Sequence, residues 1–559
     1  MPRCVIVQSD RSILLEVDTP GFEEARDLLA RFAELEKSPE HVHTYRVSPL
    51  SLWNAASAGM PASEIISGLE KHAKYDIPQN VRAEIREQMA RFGRVKLEAA
   101  ANGFVLKCAE PALSLQLWSN NKIRPLLAER LDALTIRIET VQRGPVKQAL
   151  LKLGWPVEDL AGYVEGDALK FEVRANRVAG PGWGLRGYQK EAADAFWAGG
   201  ATKGGSGVVV LPCGAGKTMV GLAAMSKVGM RTLILCTNVI AARQWRDELL
   251  DKTTLTKDDI GEYTGHSKEI KPVTIATYQI LTWRKKKSDP FLHFEIFNKA
   301  NWGLIIYDEV HLLPAPVFRA TAEIQARRRL GLTATLVRED GHEGDVFSLI
   351  GPKKYDVPWR VLEKQGWIAA AVCREIRADL APEERMRYAA SGDREQFRIA
   401  SENPAKVDVV KMLLGRHERD QVLIIGQYLE QVLGLAEGLG APAITGKTPV
   451  REREEAYGAF REGRRNLLVL SKVGNFSLDL PDANVLIQVS GTFGSRQEEA
   501  QRLGRVLRPK SDGGKAHFYS LVTRATSEED FAQKRQLFLT EQGYRYEVID
   551  AGAVTKEKD

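Results

Sequence analysis

Beyond residue 205, short runs of apolar and β-branched residues alternate with amphipathic segments of helical spacing. Runs that are apolar throughout and are separated by helices predict parallel sheets with helices on both faces. The runs fall into two successive series, so we predict two α/β domains in tandem, with the crossing between them at residues 358–370. The first series is VVVLP, TLILCT, VTIAT, LIIYDE and RLGLTAT, and the second is VLIIGQ, PAITG, NLLVLS, NVLIQVS and FYSLVT.

The first run leads into a glycine-rich turn, VVVLPCGAGKTMVG, at residues 208–221. Such a turn between a strand and a helix lets backbone N–H groups converge on phosphate oxygens at the helix N-terminus. Five residues are predicted to bind ATP: Gly214, Ala215, Gly216, Lys217 and Thr218. Lys217 is expected to reach the β and γ phosphates and Thr218 to hold Mg²⁺. The strict pattern requires glycine at position 211, where this chain has leucine. The alternative is an ordinary helix-entry turn with an incidental lysine.

A second candidate site lies where the run LIIYDEVH, residues 304–311, ends in two carboxylates. Asp308 at the carboxyl end of a strand is predicted to hold Mg²⁺, and Glu309 to orient the attacking water and accept its proton. A solvated acidic strand end is the alternative. The position, about ninety residues after the phosphate loop, favours catalysis.

The second series contains EEAQRLGRVLRP at residues 498–509. Gln501, Arg505 and Arg508 are spaced by four and three, so a helix places them on one face. Arginine stabilises charge on a transferring phosphoryl group, so we predict that these side chains complete the ATP site from the second domain. Nucleotide hydrolysis would then open and close the cleft between the domains. A basic surface helix is the alternative.

The totals exclude several classes of protein. Lys and Arg exceed Asp and Glu by 79 − 73 = 6, which suits an anionic partner without requiring one. The five cysteines lie at no metal-ligand spacing, and no apolar run approaches membrane-spanning length. We therefore expect a cytoplasmic protein without a membrane partner. Before the Gly/Pro cluster at 178–189 the patterns are mixed, with helical spacing at 23–35 and strand-like GFVLKC at 103–108, and they predict small α+β modules.

With these elements the chain resembles the superfamily 2 helicases and, more narrowly, the XPB (xeroderma pigmentosum group B) family in a bacterial form. The resemblance rests on LRGYQKEA (185–192), DEVH, GLTATLVRED (331–340) and SKVGNFSLDLPDANVLIQVS (471–490). It implies two RecA-like domains, with Gln189 and Arg186 recognising adenine. It also places Gly474 and Asp479 beside nucleotide and DNA backbone, and Thr333, Thr335 and the Arg338-Glu339-Asp340 triplet in coupling to unwinding.

The resemblance further implies that one DNA strand lies across both parallel-sheet domains, held by phosphate contacts with little sequence preference. Candidate contacts follow the predicted strands: Thr237, Asn238, Thr277, Tyr278, Thr445, Gly446 and Lys472. Helix capping is an equal alternative for the threonines and asparagine. The basic run RKKK at 284–287 and the indoles of Trp183 and Trp245 are further candidates, for which a solvated loop and core packing are the favoured alternatives.

The resemblance covers about residues 180–530, and LEKSPEHVHTYRVSPLSLWNAASAG (35–59) resembles the family's N-terminal domain. The family's basic thumb is short here, at residues 377–406. The expected division is 1–100 (N-terminal accessory domain), 101–177 (damage-recognition-like module), 178–362 (ATP-binding RecA-like domain), 363–540 (second RecA-like domain) and 541–559 (tail). The expected function is a 3′-to-5′ DNA helicase of repair that binds single-stranded and forked or duplex DNA. The alternatives are a duplex translocase, a scaffold that recruits a repair nuclease, and an RNA motor.

Overall fold

A computed structural model describes the chain apart from residues 1–2, 39–40, 102, 164, 177–182, 202–203, 213, 287–288, 290, 315, 318–326, 335–342, 358, 472–482, 492–501, 505–514, 543, 545 and 555–559. Four sheets organise these residues, two small ones in the first 160 positions and two seven-stranded ones after position 205. None of the helices in the described part of the chain has the length and apolar character needed to cross a bilayer.

The first module is an antiparallel sheet with four helices. Its strands are β1 (Val5–Val7), β2 (Ser12–Glu16), β3 (Glu34–Lys37) and β4 (Val42–Arg46), paired in the order β1-β2-β4-β3. Its helices are α1 (Phe22–Leu29), α2 (Pro49–Ser57), α3 (Ala62–His72) and α4 (Gln79–Arg91). The prediction of helical spacing over 23–35 is wrong at its end, because β3 pairs with β4 and buries Leu35. A tertiary partner here overrides the local helical pattern.

The second module is a five-stranded sheet with two helices. Its strands are β5 (Val95–Ala100), β6 (Gly103–Cys108), β7 (Glu129–Arg130), β8 (Thr135–Ile138) and β9 (Val157–Asp159), in the order β7-β8-β6-β5-β9. Its helices are α5 (Pro111–Ser119) and α6 (Arg143–Lys152). Strands β5 and β6 form one antiparallel hairpin, so the expected boundary between residues 100 and 101 falls within a paired unit.

The first large sheet is parallel throughout. Its strands are β10 (Ser206–Val210), β11 (Thr232–Cys236), β12 (Ile260–Tyr263), β13 (Val273–Thr277), β14 (Leu304–Asp308), β15 (Arg328–Thr333) and β16 (Lys353–Asp356). They lie in the order β12-β13-β11-β14-β15-β10-β16. The helices are α7 (Gly187–Trp197), α8 (Lys217–Val228), α9 (Val239–Lys252), α10 (Tyr278–Leu281), α11 (Ile296–Lys299), α12 (Glu343–Leu349) and α13 (Trp359–Lys364).

The second large sheet repeats this architecture. Its strands are β17 (Ala371–Ala378), β18 (Val422–Gly426), β19 (Ala443–Ile444), β20 (Leu467–Ser471), β21 (Val485–Gln488), β22 (Ala516–Thr523) and β23 (Tyr546–Asp550), in the order β19-β20-β18-β21-β22-β17-β23. All described pairings are parallel. The helices are α14 (Pro382–Ala390), α15 (Asp393–Ser401), α16 (Ala405–Arg416), α17 (Leu429–Gly438), α18 (Val450–Arg461) and α19 (Ser527–Glu541). Strand β23 joins this sheet from beyond residue 540, the expected end of the domain.

The predicted fold class is confirmed by these two sheets. Every residue of β11 and of β18 is buried, as expected for strands covered by helices on both faces. Trp359, Leu362 and Ile368, from the segment between β16 and β17, belong to a core cluster that extends through both sheets. The predicted crossing therefore also supplies core residues.

The N-terminal module contacts both halves of the remaining chain. Asn54 accepts a hydrogen bond from the Lys353 backbone N–H at 3.1 Å, next to the first large sheet. Leu537 of α19, beside the second large sheet, belongs to the hydrophobic core of the N-terminal module. Lys364 forms an ion pair with Glu23 at 3.1 Å. The N-terminal module thus bridges the two parallel-sheet halves.

Candidate nucleotide site

The glycine-rich turn joins β10 to α8, as the sequence predicts. Gly214 has φ 80° and Gly216 has φ 79°, a left-handed conformation that favours glycine, and α8 begins directly after Gly216. A Cβ atom on Gly216 would lie 2.6 Å from the Gln189 amide nitrogen, so a larger residue would also displace the Gln189 side chain. Leu211, which departs from the strict pattern, is fully buried in the core. The Leu211 side chain is therefore not part of the exposed surface of the loop.

Side chains at the start of helix α7 form hydrogen bonds with the backbone of this loop. The Gln189 amide donates to the Ala215 carbonyl at 2.9 Å, and its Oε1 accepts from the Arg186 backbone N–H at 2.9 Å. The Tyr188 hydroxyl donates to the same Ala215 carbonyl at 2.8 Å. The Arg186 guanidinium lies 4.6 Å from the centroid of the Trp367 ring. Gln189 and Arg186 thus fix the loop and its contact with the crossing segment, while adenine recognition by them remains a prediction.

The acidic strand end lies against the phosphate loop. The Lys217 ammonium and Glu309 Oε1 are 3.1 Å apart, which brings together two residues separated by ninety-two positions. Glu309 has φ 50° and ψ 55°, a conformation that is sterically costly for a residue with a side chain. This backbone turn directs Glu309 toward Lys217 directly after Asp308 ends β14. Three predicted catalytic residues, Lys217, Asp308 and Glu309, therefore share one site.

The two carboxylates have different electrostatic environments. Burial, with the neighbouring Glu309 charge adding to it, raises the pKa of Asp308 to about 6. Burial is the largest influence on Glu309 and acts to raise its pKa, but the Lys217 ammonium together with His311 and hydrogen bonds to the carboxylate lowers the pKa overall. Adjacent carboxylates withdrawn from water match the oxygen ligands of a divalent cation. Asp308 together with half-buried Thr218 therefore fits Mg²⁺ beside a bound triphosphate, while Glu309 pairs with Lys217.

Two aromatic side chains donate hydrogen bonds to Asp308, a role that the sequence predicted for neither of them. The Trp245 indole N–H donates to Asp308 Oδ2 at 2.9 Å, and the ring is 1% exposed. Core packing of Trp245 is therefore confirmed, and the hydrogen bond is an addition. Tyr278, considered as a DNA contact, is buried and its hydroxyl donates to the Asp308 backbone carbonyl at 2.8 Å. One general rule could have pointed to these hydrogen bonds: the indole N–H of a buried Trp and the hydroxyl of a buried Tyr usually find a hydrogen-bond acceptor.

Thr333 connects the acidic strand end to β15. Its hydroxyl lies 2.7 Å from His311 Nδ1, and both side chains are buried. The same His311 nitrogen is 3.5 Å from Glu309 Oε2. Any effect of Thr333 on DNA in this arrangement would therefore act through the acidic strand end. His311, the last residue of DEVH, was not assigned a role from sequence.

The strand-end candidates for DNA contact divide by exposure. Thr237 follows β11 and is partly exposed. Asn238 and Thr277 act as helix caps, accepting from the backbone N–H groups of Ala241 and Ile280. Thr445 is nearly buried in a turn, where its hydroxyl accepts from the Lys447 backbone N–H at 3.2 Å. Capping is thus the observed role for Asn238 and Thr277, and DNA contact by these residues remains a prediction.

Ten predicted site residues lie outside the described part of the chain: Thr335, Arg338, Glu339, Asp340, Lys472, Gly474, Asp479, Gln501, Arg505 and Arg508. Between Gln501 and Arg505 the structure describes Arg502, which is buried and donates a hydrogen bond to the Gln488 side chain at the end of β21. Arg502 itself is thereby attached to the second large sheet.

Comparisons with known proteins identify the family of the chain. Family profiles match residues 362–559 (ERCC3/RAD25/XPB C-terminal helicase), 183–338 (type III restriction enzyme, res subunit) and 5–132 (helicase conserved C-terminal domain). The last of these falls on the two N-terminal modules. The middle one contains the phosphate loop and the acidic strand end.

Curated relatives match nearly the whole chain. The chain is 55% identical to the DNA 3′-5′ helicase XPB of Kineococcus radiotolerans, over 98% of this chain and 96% of that protein. It is 55% identical to the protein of the same name from Mycobacterium tuberculosis, over 98% of each. A Saccharomyces cerevisiae protein, named general transcription and DNA repair factor IIH helicase/translocase subunit XPB/SSL2, is 31% identical over 97% of this chain and 72% of its own length. The chain therefore belongs to the XPB family of helicases.

Proposed function

We propose that this chain is an ATP-driven motor that moves 3′ to 5′ along DNA and separates its strands during repair. The observation that carries the proposal is the Lys217–Glu309 pair at 3.1 Å, at the carboxyl edge of one parallel sheet and followed by a second such sheet in tandem. The direction and the substrate are supported by relatives named DNA 3′-5′ helicase XPB.

Different residues beside the first large sheet bind the phosphates, activate the attacking water and hold Mg²⁺. Lys217 and the N–H groups at the start of α8 bind the phosphates, and Glu309 orients the attacking water and accepts its proton. The ammonium that phosphate oxygens would attract is the one that neutralises Glu309 here, so phosphate binding would release this carboxylate to act as a base. Thr218 and Asp308 would hold Mg²⁺, which neutralises charge on the phosphates when it is bound.

The second sheet would complete the site and convert hydrolysis into movement. Gln501, Arg505 and Arg508 are proposed to reach the phosphates only when the two halves close. As the cleft closes and opens, first one half and then the other would bind the DNA strand more tightly. The Arg338-Glu339-Asp340 triplet is proposed to couple this movement to strand separation, as the family resemblance implies.

The N-terminal modules favour a second contribution, the control of the motor by a partner. Leu537 and Lys353 belong to different halves, yet both contact the first module. A protein or a DNA distortion that moves this module would therefore alter the relative position of the halves. A repair nuclease is a proposed partner of this kind.

The test is DNA-stimulated ATP hydrolysis together with strand displacement on 3′-tailed and 5′-tailed duplexes. Hydrolysis stimulated by DNA and displacement from the 3′ tail are expected. Stimulation without displacement would leave a duplex translocase, whereas stimulation by RNA alone would overturn the substrate. Repeating both assays on a chain that starts near residue 178 would measure what the N-terminal modules contribute.

A further inference from the structure

An exposed tryptophan lies in a basic loop that no part of the nucleotide site uses. This Trp283 loop, residues 282–286 (TWRKK), follows α10 directly. Trp283 is 50% exposed, whereas Trp245, Trp302 and Trp359 around the same sheet are at most 1% exposed. Lys285 and Lys286 are exposed beside it. The half-exposed indole and the two lysines thus present an aromatic face within a basic surface.

The loop is held in place by aromatic contacts from one side. The Trp283 ring lies 6.2 Å from the His293 ring, and His293 Nδ1 is 2.9 Å from the Tyr263 hydroxyl. The Arg284 guanidinium lies 4.4 Å from the centroid of the Phe291 ring. Trp283 therefore rests on a fixed aromatic base while half of its surface faces solvent. A preorganised ring of this kind loses little entropy when a ligand stacks on it.

The position of the loop matches the edge where strands of the sheet end. Strand β13 pairs with β11 so that Thr277 lies opposite Cys236, and the carboxyl ends of both strands meet at this edge. Thr237, which is predicted to contact the DNA strand, follows β11. Trp283 follows β13 after the single helical turn of α10. In the sheet, β13 is four strand positions from β10, which is about 19 Å at the usual spacing. A ligand on Trp283 would thus be separate from the phosphate loop.

We propose that the Trp283 loop is a binding site for single-stranded DNA, in which a base stacks on Trp283 and phosphates contact Lys285 and Lys286. Aromatic stacking together with a basic surface is the general chemistry of single-strand binding without sequence preference. An acidic peptide would be attracted by the lysines, but the flat exposed indole favours a nucleobase. This proposal rests on the proposed function, since it adds a contact to the same DNA path.

The experiment measures the affinity of the full-length chain for labelled oligothymidylate over a series of KCl concentrations. Trp283→Ala should lose about 5- to 150-fold in affinity, the range for one base stack, with the slope against salt unchanged. Lys285→Ala/Lys286→Ala should reduce that slope by about 1.4, since each phosphate contact on a single strand contributes about 0.7. Trp283→Phe should retain most of the affinity because it keeps an aromatic face.

Tyr75→Ala provides the matched control, because Tyr75 is 69% exposed on the N-terminal module. It should leave DNA affinity at the wild-type value. Unchanged affinity in Trp283→Ala, or an equal loss in Tyr75→Ala, would overturn the proposal, and the first result would point to a protein partner for the exposed indole. Wild-type protein that binds no DNA would instead overturn the proposed function as well, so the two failures are distinguishable.

Discussion

Replacing Trp245 with phenylalanine tests whether a residue outside the phosphate loop and the acidic strand end sets the pKa of Asp308. The substitution removes the indole N–H that donates to Asp308 Oδ2 at 2.9 Å while keeping an aromatic ring in the core. This hydrogen bond lowers the pKa of Asp308, which burial and Glu309 raise to about 6. Its loss should therefore raise the pKa of Asp308 further.

The size of the effect follows from the strength of the bond. A hydrogen bond to a charged group contributes about 1.5–3 kcal/mol, and about 1.4 kcal/mol corresponds to one pH unit. In the proposed mechanism Asp308 holds Mg²⁺ only when it is ionised, so hydrolysis should fall as pH decreases through its pKa. The acidic limb of the pH profile should move up by about 1 to 2 pH units, with a rate loss of about 2- to 10-fold at pH 7. Excess Mg²⁺ should recover much of the rate, because the cation competes with the proton.

The assay is ATP hydrolysis against pH at several Mg²⁺ concentrations, with Trp302→Phe as the control. Trp302 is equally buried, but its indole N–H donates to the Ile296 carbonyl at 2.8 Å, away from the carboxylates. Both variants should lower the melting temperature, and only Trp245→Phe should move the acidic limb. An unmoved limb, or the same displacement in Trp302→Phe, would refute the assignment of Trp245 as a positioning residue.

The remaining predictions concern the shared site and one buried ion cluster. Lys217→Ala should abolish hydrolysis, and retained turnover would contradict the phosphate site. Glu309→Gln should still bind ATP, measured with a fluorescent analogue, but hydrolyse it about 10²- to 10⁴-fold more slowly, as for loss of a general base; equal loss of binding would make the residue structural. Arg508→Ala should reduce hydrolysis with an unchanged melting temperature, and full activity would exclude its predicted role. Asp159→Asn should lower the free energy of unfolding by about 3–5 kcal/mol in denaturant unfolding. The buried cations of Arg143 and Lys147, 2.8 and 2.9 Å from Asp159, would then have no carboxylate at this position to balance their charge. Since these cations outweigh the effect of burial and lower the pKa of Asp159, this stability is present above the ordinary Asp pKa and is lost as pH falls through the lowered value. A variant as stable as wild type at pH 7 would show that the cluster contributes nothing.

Much of the site could be predicted because its signals are local. The phosphate loop is a contiguous turn between a strand and a helix, and Asp308 and Glu309 directly follow an apolar run. The parallel sheets were predictable for the same reason, since burial on both faces leaves a continuous apolar run in each strand. Family membership follows from motifs of the same contiguous kind.

Local patterns were insufficient where a distant partner decides the outcome. The Trp245–Asp308 hydrogen bond joins residues sixty-three positions apart, and it exists because α9 packs over the sheet beside β14. The hydrogen bond from the Gln189 amide to the Ala215 carbonyl likewise joins residues twenty-six positions apart, and it exists because α7 packs against the glycine-rich turn.

The amino-acid sequence by itself determined the two tandem parallel sheets, the phosphate loop, the acidic strand end and the family. The tertiary structure alone decided which aromatic residues hold Asp308, which polar side chains act as caps, and that the N-terminal module contacts both halves. The physical reason is the distance along the chain over which each kind of interaction acts. Backbone preference and apolar periodicity act between neighbours in the chain, whereas a hydrogen bond or an exposed indole depends on which distant elements pack together.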